Sequence, residues 1–345
     1  MSFTRKSKPA SSSTQAAPFS TGLSSLDDLL GGGIPPSCSV VYTAPDLHSE
    51  YGVLLQKYFV AQGLATGEKI YVVGSTAEWV NECMWTPPNA TTVEEADEAD
   101  KLKIAWRYES MKQFETTVAS SSSSRTFDLT VRIPPAVVSD ALAKHQLVLV
   151  DAEAPARVLS RLKDVLATNT VPVRICIPSL GGPQWGDLGP QDILRFLHRL
   201  RALLRQYPQA CASTSLVATV SGDSYGNGPG WHQRVGWVAD GSMTLSAFSA
   251  NPALAAAFPS AHALVRLHNL PSPHSLVPAS DRFSVIRGAS GENNISLKCT
   301  RKRVVFETMH LGVEGGVGER RTEATVTKKK AEKRVARFEG DAYDF

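Results

Sequence analysis

A chain of 345 residues is long enough for one large domain or two small ones, and its 42% hydrophobic and 20% charged content is that of a globular protein with a sizeable core. The formal charge of +3 is too mild to demand a nucleic-acid partner, although local clusters can still attract one. No apolar run is long enough to span a bilayer, Met1 to Pro18 lacks the apolar stretch of a secretory signal, and the scattered Cys38, Cys83, Cys176, Cys211 and Cys299 read as reduced thiols of a cytoplasmic and nuclear protein.

Residues 1–17 are rich in Ser, Thr, Ala and Lys and offer little apolar surface to offset ordering entropy, so they are expected to form a disordered leader. Ser24 to Leu30 reads as a short helix, with Ser24 as its cap and Gly31-Gly32-Gly33 as its stop. Ser39 to Thr43 is a short β-branched run bounded by turn residues and predicts a buried strand. A helix follows from about Glu50 to Leu64, where Leu54, Leu55, Tyr58 and Phe59 recur at helical spacing, and then a strand over Ile70 to Val73. This strand–helix–strand alternation predicts an α/β fold with a mostly parallel sheet covered on both faces.

The chain then changes character. Glu94, Glu95, Asp97, Glu98 and Asp100 form an acidic patch and Ser120 to Ser124 a serine run, so 84–140 is read as a loop-rich insertion with a helix or two at most. Leu147 to Val150 is an apolar strand that ends at Asp151, and Val173 to Ile177 is another. Pro190 suits the first turn of a helix that continues to Tyr207, with Ile193, Phe196, Leu197, Leu200, Leu203 and Leu204 on one stripe and Arg195, Arg199, Arg201 and Arg205 off it. Leu216 to Val220 is predicted as a strand, Gly222 to Gly230 as a glycine-rich loop, and 243–247, 263–268, 295–298 and 304–307 as further strands. From Gly312 onward the chain looks loose. Residues 18–312 thus form a single domain, and 313–345 a basic tail.

The first strand–loop–helix unit is where a nucleotide-binding protein cradles phosphate on backbone N–H groups and a helix N-terminus. That cradle needs glycines for close approach, a Lys for the terminal phosphates and a Ser or Thr for magnesium. The loop here is Thr43-Ala44-Pro45-Asp46-Leu47-His48-Ser49-Glu50-Tyr51. It has neither glycine nor lysine, Asp46 and Glu50 bring negative charge, and Pro45 removes a donor. Thr43, Asp46, His48, Ser49 and Glu50 therefore mark a degenerate nucleotide loop that should not hold ATP in the usual way. Asp151, at the end of an apolar strand, is the candidate magnesium- or nucleotide-side carboxylate; the plainer reading is an acid capping a turn. Glu78, after the second strand, could mimic a water-activating carboxylate; the plainer reading is a solvated loop acid. The histidines, including His262, His268 and His274, show no tight metal spacing, and neither a metal nor a cofactor is expected.

Ser20-Thr21-Gly22-Leu23-Ser24-Ser25-Leu26-Asp27-Asp28-Leu29-Leu30-Gly31-Gly32-Gly33-Ile34-Pro35 is similar to the lead-in of RecA-type ATPases. Ile177-Pro178-Ser179-Leu180-Gly181, the stretch Leu194 to Arg205, Leu267-His268-Asn269-Leu270-Pro271 and Lys298 to Leu311 resemble the family of fourth subunits of the Elongator complex. The resemblance runs from Phe19 to about Arg321. It implies a RecA-like P-loop NTPase fold and a non-catalytic subunit that joins two RecA-like paralogues in a hetero-hexameric ring. That ring docks on the catalytic Elongator subunits and binds tRNA during carboxymethyl-type modification of the wobble uridine. The insertion and the tail depart from the pattern and inherit no role.

Four places are candidates for RNA or ring contact. Arg195, Arg199, Arg201 and Arg205 line a helix face that is either functional or merely solvated. Ser221 to Arg234, with Tyr225, Trp231, His232 and Arg234, mixes aromatics with a cation as base-stacking loops do. Arg301, Lys302 and Arg303 form a basic turn. Lys328, Lys329, Lys330, Lys333, Arg334 and Arg337 form a basic tail of nuclear-import-like or RNA-attracting type. Two other readings compete: an independent RecA-like ATPase acting on DNA or as a clock-type kinase, and a protein–protein scaffold without RNA contact.

Overall fold

The sheet grows outward from one buried strand. Ser39–Thr43 (β1) has all five residues buried, as its β-branched, turn-bounded sequence requires. The computed structural model describes residues 17–86, 125–222, 227–273, 284, 286 and 294–309. In it β1 pairs in parallel with Ala210–Leu216 (β7) on one side and Gly241–Ala247 (β8) on the other. Beyond β7 lie Val173–Leu180 (β6), Lys69–Val73 (β2) and Leu147–Val150 (β5), all parallel. Beyond β8 the sheet continues antiparallel through Ala263–Asn269 (β9), Ile295–Cys299 (β10) and Val304–Thr308 (β11). The order is β11-β10-β9-β8-β1-β7-β6-β2-β5. A separate ribbon pairs Met84–Trp85 (β3) with Asp128–Arg132 (β4).

Helices cover both faces. Ser24–Leu29 (α1), Tyr51–Thr66 (α2), Ala77–Asn81 (α3) and Pro135–Ala143 (α4) pack with the ribbon on one face. Pro155–Thr168 (α5), Pro190–Leu204 (α6) and Trp231–Val238 (α7) pack on the other. Pro252–Ala257 (α8) follows β8. The strands alternate between the two cores: Val40, Tyr42, Ile70 and Val72 serve the α2 side, while Val41, Tyr71, Val73 and Ile175 serve the α6 side. This is a RecA-like α/β fold, as the sequence predicts.

Three local expectations need correction. The strand placed at Leu216 to Val220 ends at Leu216, and Ala218–Val220 is a turn of 3-10 helix. The strand itself is the small and polar Ala-Cys-Ala-Ser-Thr-Ser-Leu run, which burial between two neighbours makes extended despite its weak β propensity. Ser24 does not cap α1: the cap position is Leu23 and no side chain caps it. Instead Asp27, inside the helix, reaches back to accept hydrogen bonds from Ser20 Oγ at 2.5 Å, Thr21 N at 2.7 Å and Thr21 Oγ1 at 2.7 Å. The Trp231 segment is helix rather than loop. Of the 84–140 stretch, the flanks form β3, β4 and α4 and bury Phe127, Ile133 and Val138; residues 87–124, with the acidic patch and serine run, lie outside the described residues. So do the leader to residue 16 and the chain from 310 onward.

The N-terminal segment is clasped to the sheet by a buried cation that the sequence reading passed over. Arg174 on β6 is 1% exposed. It is ion-paired with Glu68, donates from Nη1 to Ser20 O at 2.6 Å, and lies between the rings of Phe19 and Phe59. Phe19 in turn bridges to Ile34, and at Gly33 a Cβ would stand 2.4 Å from Phe19 O, so that turn admits only glycine.

Candidate functional site

In open α/β sheets a ligand lies outside the carboxyl ends of the strands where the chain's crossings change direction. Here the chain leaves β1 through α2 on one face and leaves β7 through α7 on the other, so the crevice lies beyond Thr43 and Leu216. The 43–51 loop sits in it, and protein groups already hold it closed. Asp46 accepts the Ala247 N–H at 2.6 Å, which ties the loop to the end of β8. Asp46 O accepts from Ser49 N at 3.2 Å and Ser49 Oγ at 3.4 Å. The Ala44 N–H donates to Ser221 Oγ at 3.3 Å, and that hydroxyl donates on to Leu216 O and Val217 O. Backbone donors that a phosphate would need are thus turned to the loop's own turn or to its neighbour. At the start of α2, a Cβ on Gly52 would stand 2.2 Å from Ser215 Oγ, so β7 presses directly on this helix end. His48 and Glu50 face solvent, and Leu47 is 59% exposed.

Thr43 belongs to a polar cluster that sequence reading did not assemble. Its Oγ1 lies 2.8 Å from Thr244 Oγ1 and 3.4 Å from His232 Nδ1. Thr244 Oγ1 also meets His232 Nδ1 at 3.2 Å and His268 Nε2 at 2.7 Å, and the two imidazoles stack with centroids 5.5 Å apart. Burial, then His232, then Arg266 push the His268 pKa down to about 4, so this imidazole is neutral at physiological pH. The signal was thin, because 43, 232, 244 and 268 meet only through the β1–β8–β9 pairing.

Asp151 is not part of this crevice. It follows β5 at the edge of the sheet, four strand steps from β1, which at the usual spacing is about 19 Å. Glu78 is exposed on α3.

The four arginines of α6 and its C-terminal cap divide into two pairs. Arg201 Nε lies 2.8 Å from Asp240 Oδ1, Arg205 is ion-paired with the same oxygen, and the Asp240 side chain is fully buried. Asp240 Oδ2 also accepts from Ser39 N at 2.8 Å, and Arg205 donates to Ser272 O at 2.8 Å. These two cations fasten α6 to the β1–β8 end of the sheet. Arg195, paired with Asp192 at 3.2 Å, and Arg199 remain exposed. Trp231 is fully buried, with Nε1 donating to Val220 O at 2.8 Å, so it offers no ring for stacking on a base. Arg234 lies over the Trp231 ring and donates to Asn227 O. Tyr225 lies outside the described residues. The exposed turn Arg301-Lys302-Arg303 sits beside β4, where Lys302 O accepts from Leu129 N, on the α2 side of the sheet and apart from α6. Among the described residues, no group of three or more His, Cys, Asp and Glu is placed to hold a metal, and no helix is long and apolar enough to cross a membrane.

The fold and crevice define a RecA-like α/β domain whose first strand–loop–helix turn is closed on itself at the switch point of the sheet. Residues 6–338 match the family model described as PAXNEB protein, and the chain belongs to that family. Among curated relatives, the Elongator complex protein 4 of Xenopus laevis is 25% identical, over 85% of this chain and 79% of its own length. The protein of the same name from Homo sapiens is 25% identical over 85% of this chain and 76% of its own. That from Dictyostelium discoideum is 25% identical over 67% of this chain and 61% of its own.

Proposed function

We propose that this chain is a non-catalytic RecA-like ring subunit of the Elongator complex. It joins two RecA-like paralogues in a hetero-hexamer that docks on the catalytic subunits and binds tRNA for carboxymethyl-type modification of the wobble uridine, in cytoplasm and nucleus. Family membership supports the assignment to the complex. One observation carries the non-catalytic role: the 43–51 loop has no glycine or lysine, and Asp46 already holds the Ala247 N–H where a phosphate would need room and positive charge. A triphosphate there would meet a carboxylate and a closed turn. What the domain retains is shape, and shape is what a ring subunit contributes.

Co-expression with candidate paralogues, followed by native mass measurement, tests the assembly. A hexamer containing this chain is expected. A chain that remains monomeric beside them, or one that hydrolyses ATP alone with magnesium, would sink the proposal.

A further inference from the structure

We propose that the cavity between the first turns of α6 and α7 binds a phosphate monoester, with Arg234 as its inner cation and Arg195 as its outer one. The site lies within this one chain and does not depend on the ring reading. It stands at the ligand end of the sheet: β6 and β7 are neighbours, and the loops that leave their carboxyl ends run to α6 and α7. The 43–51 loop at the same end carries two acids and neither lysine nor arginine. The guanidinium groups stand next door.

The cavity holds about 480 Å³, a volume typical of small-molecule sites, and Gln191, Asp192, Arg195, Asn227 and Arg234 are in its lining. Arg234 is positioned from two sides. Its guanidinium lies 5.4 Å from the ring centroid of the fully buried Trp231, and Nη2 donates to Asn227 O. Asn227 is itself 4% exposed, with Nδ2 donating to Gly222 O at 2.8 Å. Arg234 Nε is buried and has no hydrogen-bond partner among the described residues. A buried guanidinium donor without an acceptor is costly, and an anion in the cavity would relieve it. Arg195 comes from the other helix, with its side chain 65% exposed and paired with Asp192 at 3.2 Å. So exposed a pair is weak, which leaves Arg195 able to turn to a ligand. The end of α6 adds little of its own: Pro190 has no N–H, and those of Asp192 and Ile193 already donate to Gly189 O.

Two guanidinium groups against one carboxylate select an anion, and the carboxylate decides which kind. A carboxylic acid or a phosphodiester brings a single negative charge and merely equals Asp192 in the competition for Arg195. A phosphate monoester brings about 1.5 to 2 charges at neutral pH and three acceptor oxygens, enough to engage both arginine forks beside Asp192.

Calorimetry on the full chain tests this with ribose phosphate, adenosine monophosphate, its cyclic diester and adenosine. The two monoesters are expected to bind, the cyclic diester roughly tenfold more weakly, and adenosine not at all. Arg234→Gln should weaken ribose phosphate binding by roughly tenfold to a hundredfold. Arg195→Gln, at an exposed position, should weaken it by about twofold to fivefold. Asp192→Asn should strengthen it by about the same factor, a gain that damage to the fold would not produce. A short RNA with a terminal phosphate, set beside the same RNA with a terminal hydroxyl, identifies the source: binding of the phosphorylated RNA without ribose phosphate makes the monoester a strand end. Absence of binding by every monoester, equal binding of the cyclic diester, or an Asp192→Asn chain no tighter than wild type would overturn the proposal.

Discussion

Replacing Asp240 with Ala should be among the most damaging single changes in the domain. The carboxylate is fully buried and accepts from Ser39 N at 2.8 Å while facing the guanidinium groups of Arg201 and Arg205. Breaking a buried ion pair by removing one partner costs about 3–5 kcal/mol, chiefly because a charge is left without compensation. Arg201 and Arg205 keep 30% and 22% side-chain exposure, so water recovers part of that cost and the lower end applies. The Ser39 N–H, left bare at the start of β1, belongs to the same loss. The expected destabilisation is about 3 kcal/mol for Asp240→Ala, and roughly half for Asp240→Asn, which keeps an acceptor for Ser39 but not the charge. Urea unfolding of the purified chain reads this as a lower midpoint at unchanged slope. Arg205→Ala combined with Asp240→Ala should cost clearly less than the sum of the two singles, since the second change removes a group already stranded. An Asp240→Ala loss below about 1 kcal/mol, or strict additivity with Arg205→Ala, would show that α6 is not fastened through these charges and would return Arg201 and Arg205 to the surface.

Three further outcomes follow from other contacts. Gly52→Ala places a methyl 2.2 Å from Ser215 Oγ and should destabilise by about 1–3 kcal/mol; Ser215→Ala in the same chain should restore most of it, and no rescue would mean the clash is relieved elsewhere. His268, held near pH 4 against an ordinary value of 6.5, binds fewer protons folded than unfolded. Its contribution is therefore complete above about 6.5 and lost as pH falls toward 4, by at most about 3 kcal/mol; His268→Gln should flatten a thermal-stability profile in that window. Cys38, Cys83, Cys176 and Cys211 are buried, and burial raises each thiol pKa, to about 12 for Cys38 and Cys83. Iodoacetamide on the native chain should thus label Cys299 first, and mass mapping that found Cys176 modified before unfolding would contradict the packing.

The fold was legible where apolar patterning and turn chemistry agreed. β1, β2, β5 and the stripe of α6 stand within a residue or two of their expected places, because each is a clear apolar run or a 3.6-periodic stripe, with Gly or Pro punctuation around β1, β2 and α6. α5 has a thinner signal: Val158, Leu162 and Leu166 at four-residue spacing bury one face of it, among mostly polar neighbours. β7 was misplaced because burial between β1 and β6 overrides a sequence of Ala, Ser and Thr. The site was less legible than the fold. The missing glycine and lysine of the 43–51 loop are visible in one dimension. The Asp46–Ala247 tie, the pairing of Arg201 and Arg205 with Asp240, and the distance of Asp151 from β1 all depend on strand order, which no local pattern encodes. Trp237 looked no different from Trp231 until the helix showed which of them turns inward.

The clasp at Arg174 also sets an order of events during synthesis. The guanidinium that holds Phe19 and Ser20 lies 154 residues beyond Ser20 along the chain, on a strand set between two parallel neighbours. Closing so long a loop is an entropic cost met late, so Phe19 and Ser20 are locked only after the much later Arg174 has been made. Until then the Phe19 ring lacks the guanidinium that covers it, and the nascent chain carries an adhesive apolar patch through the synthesis of the intervening strands.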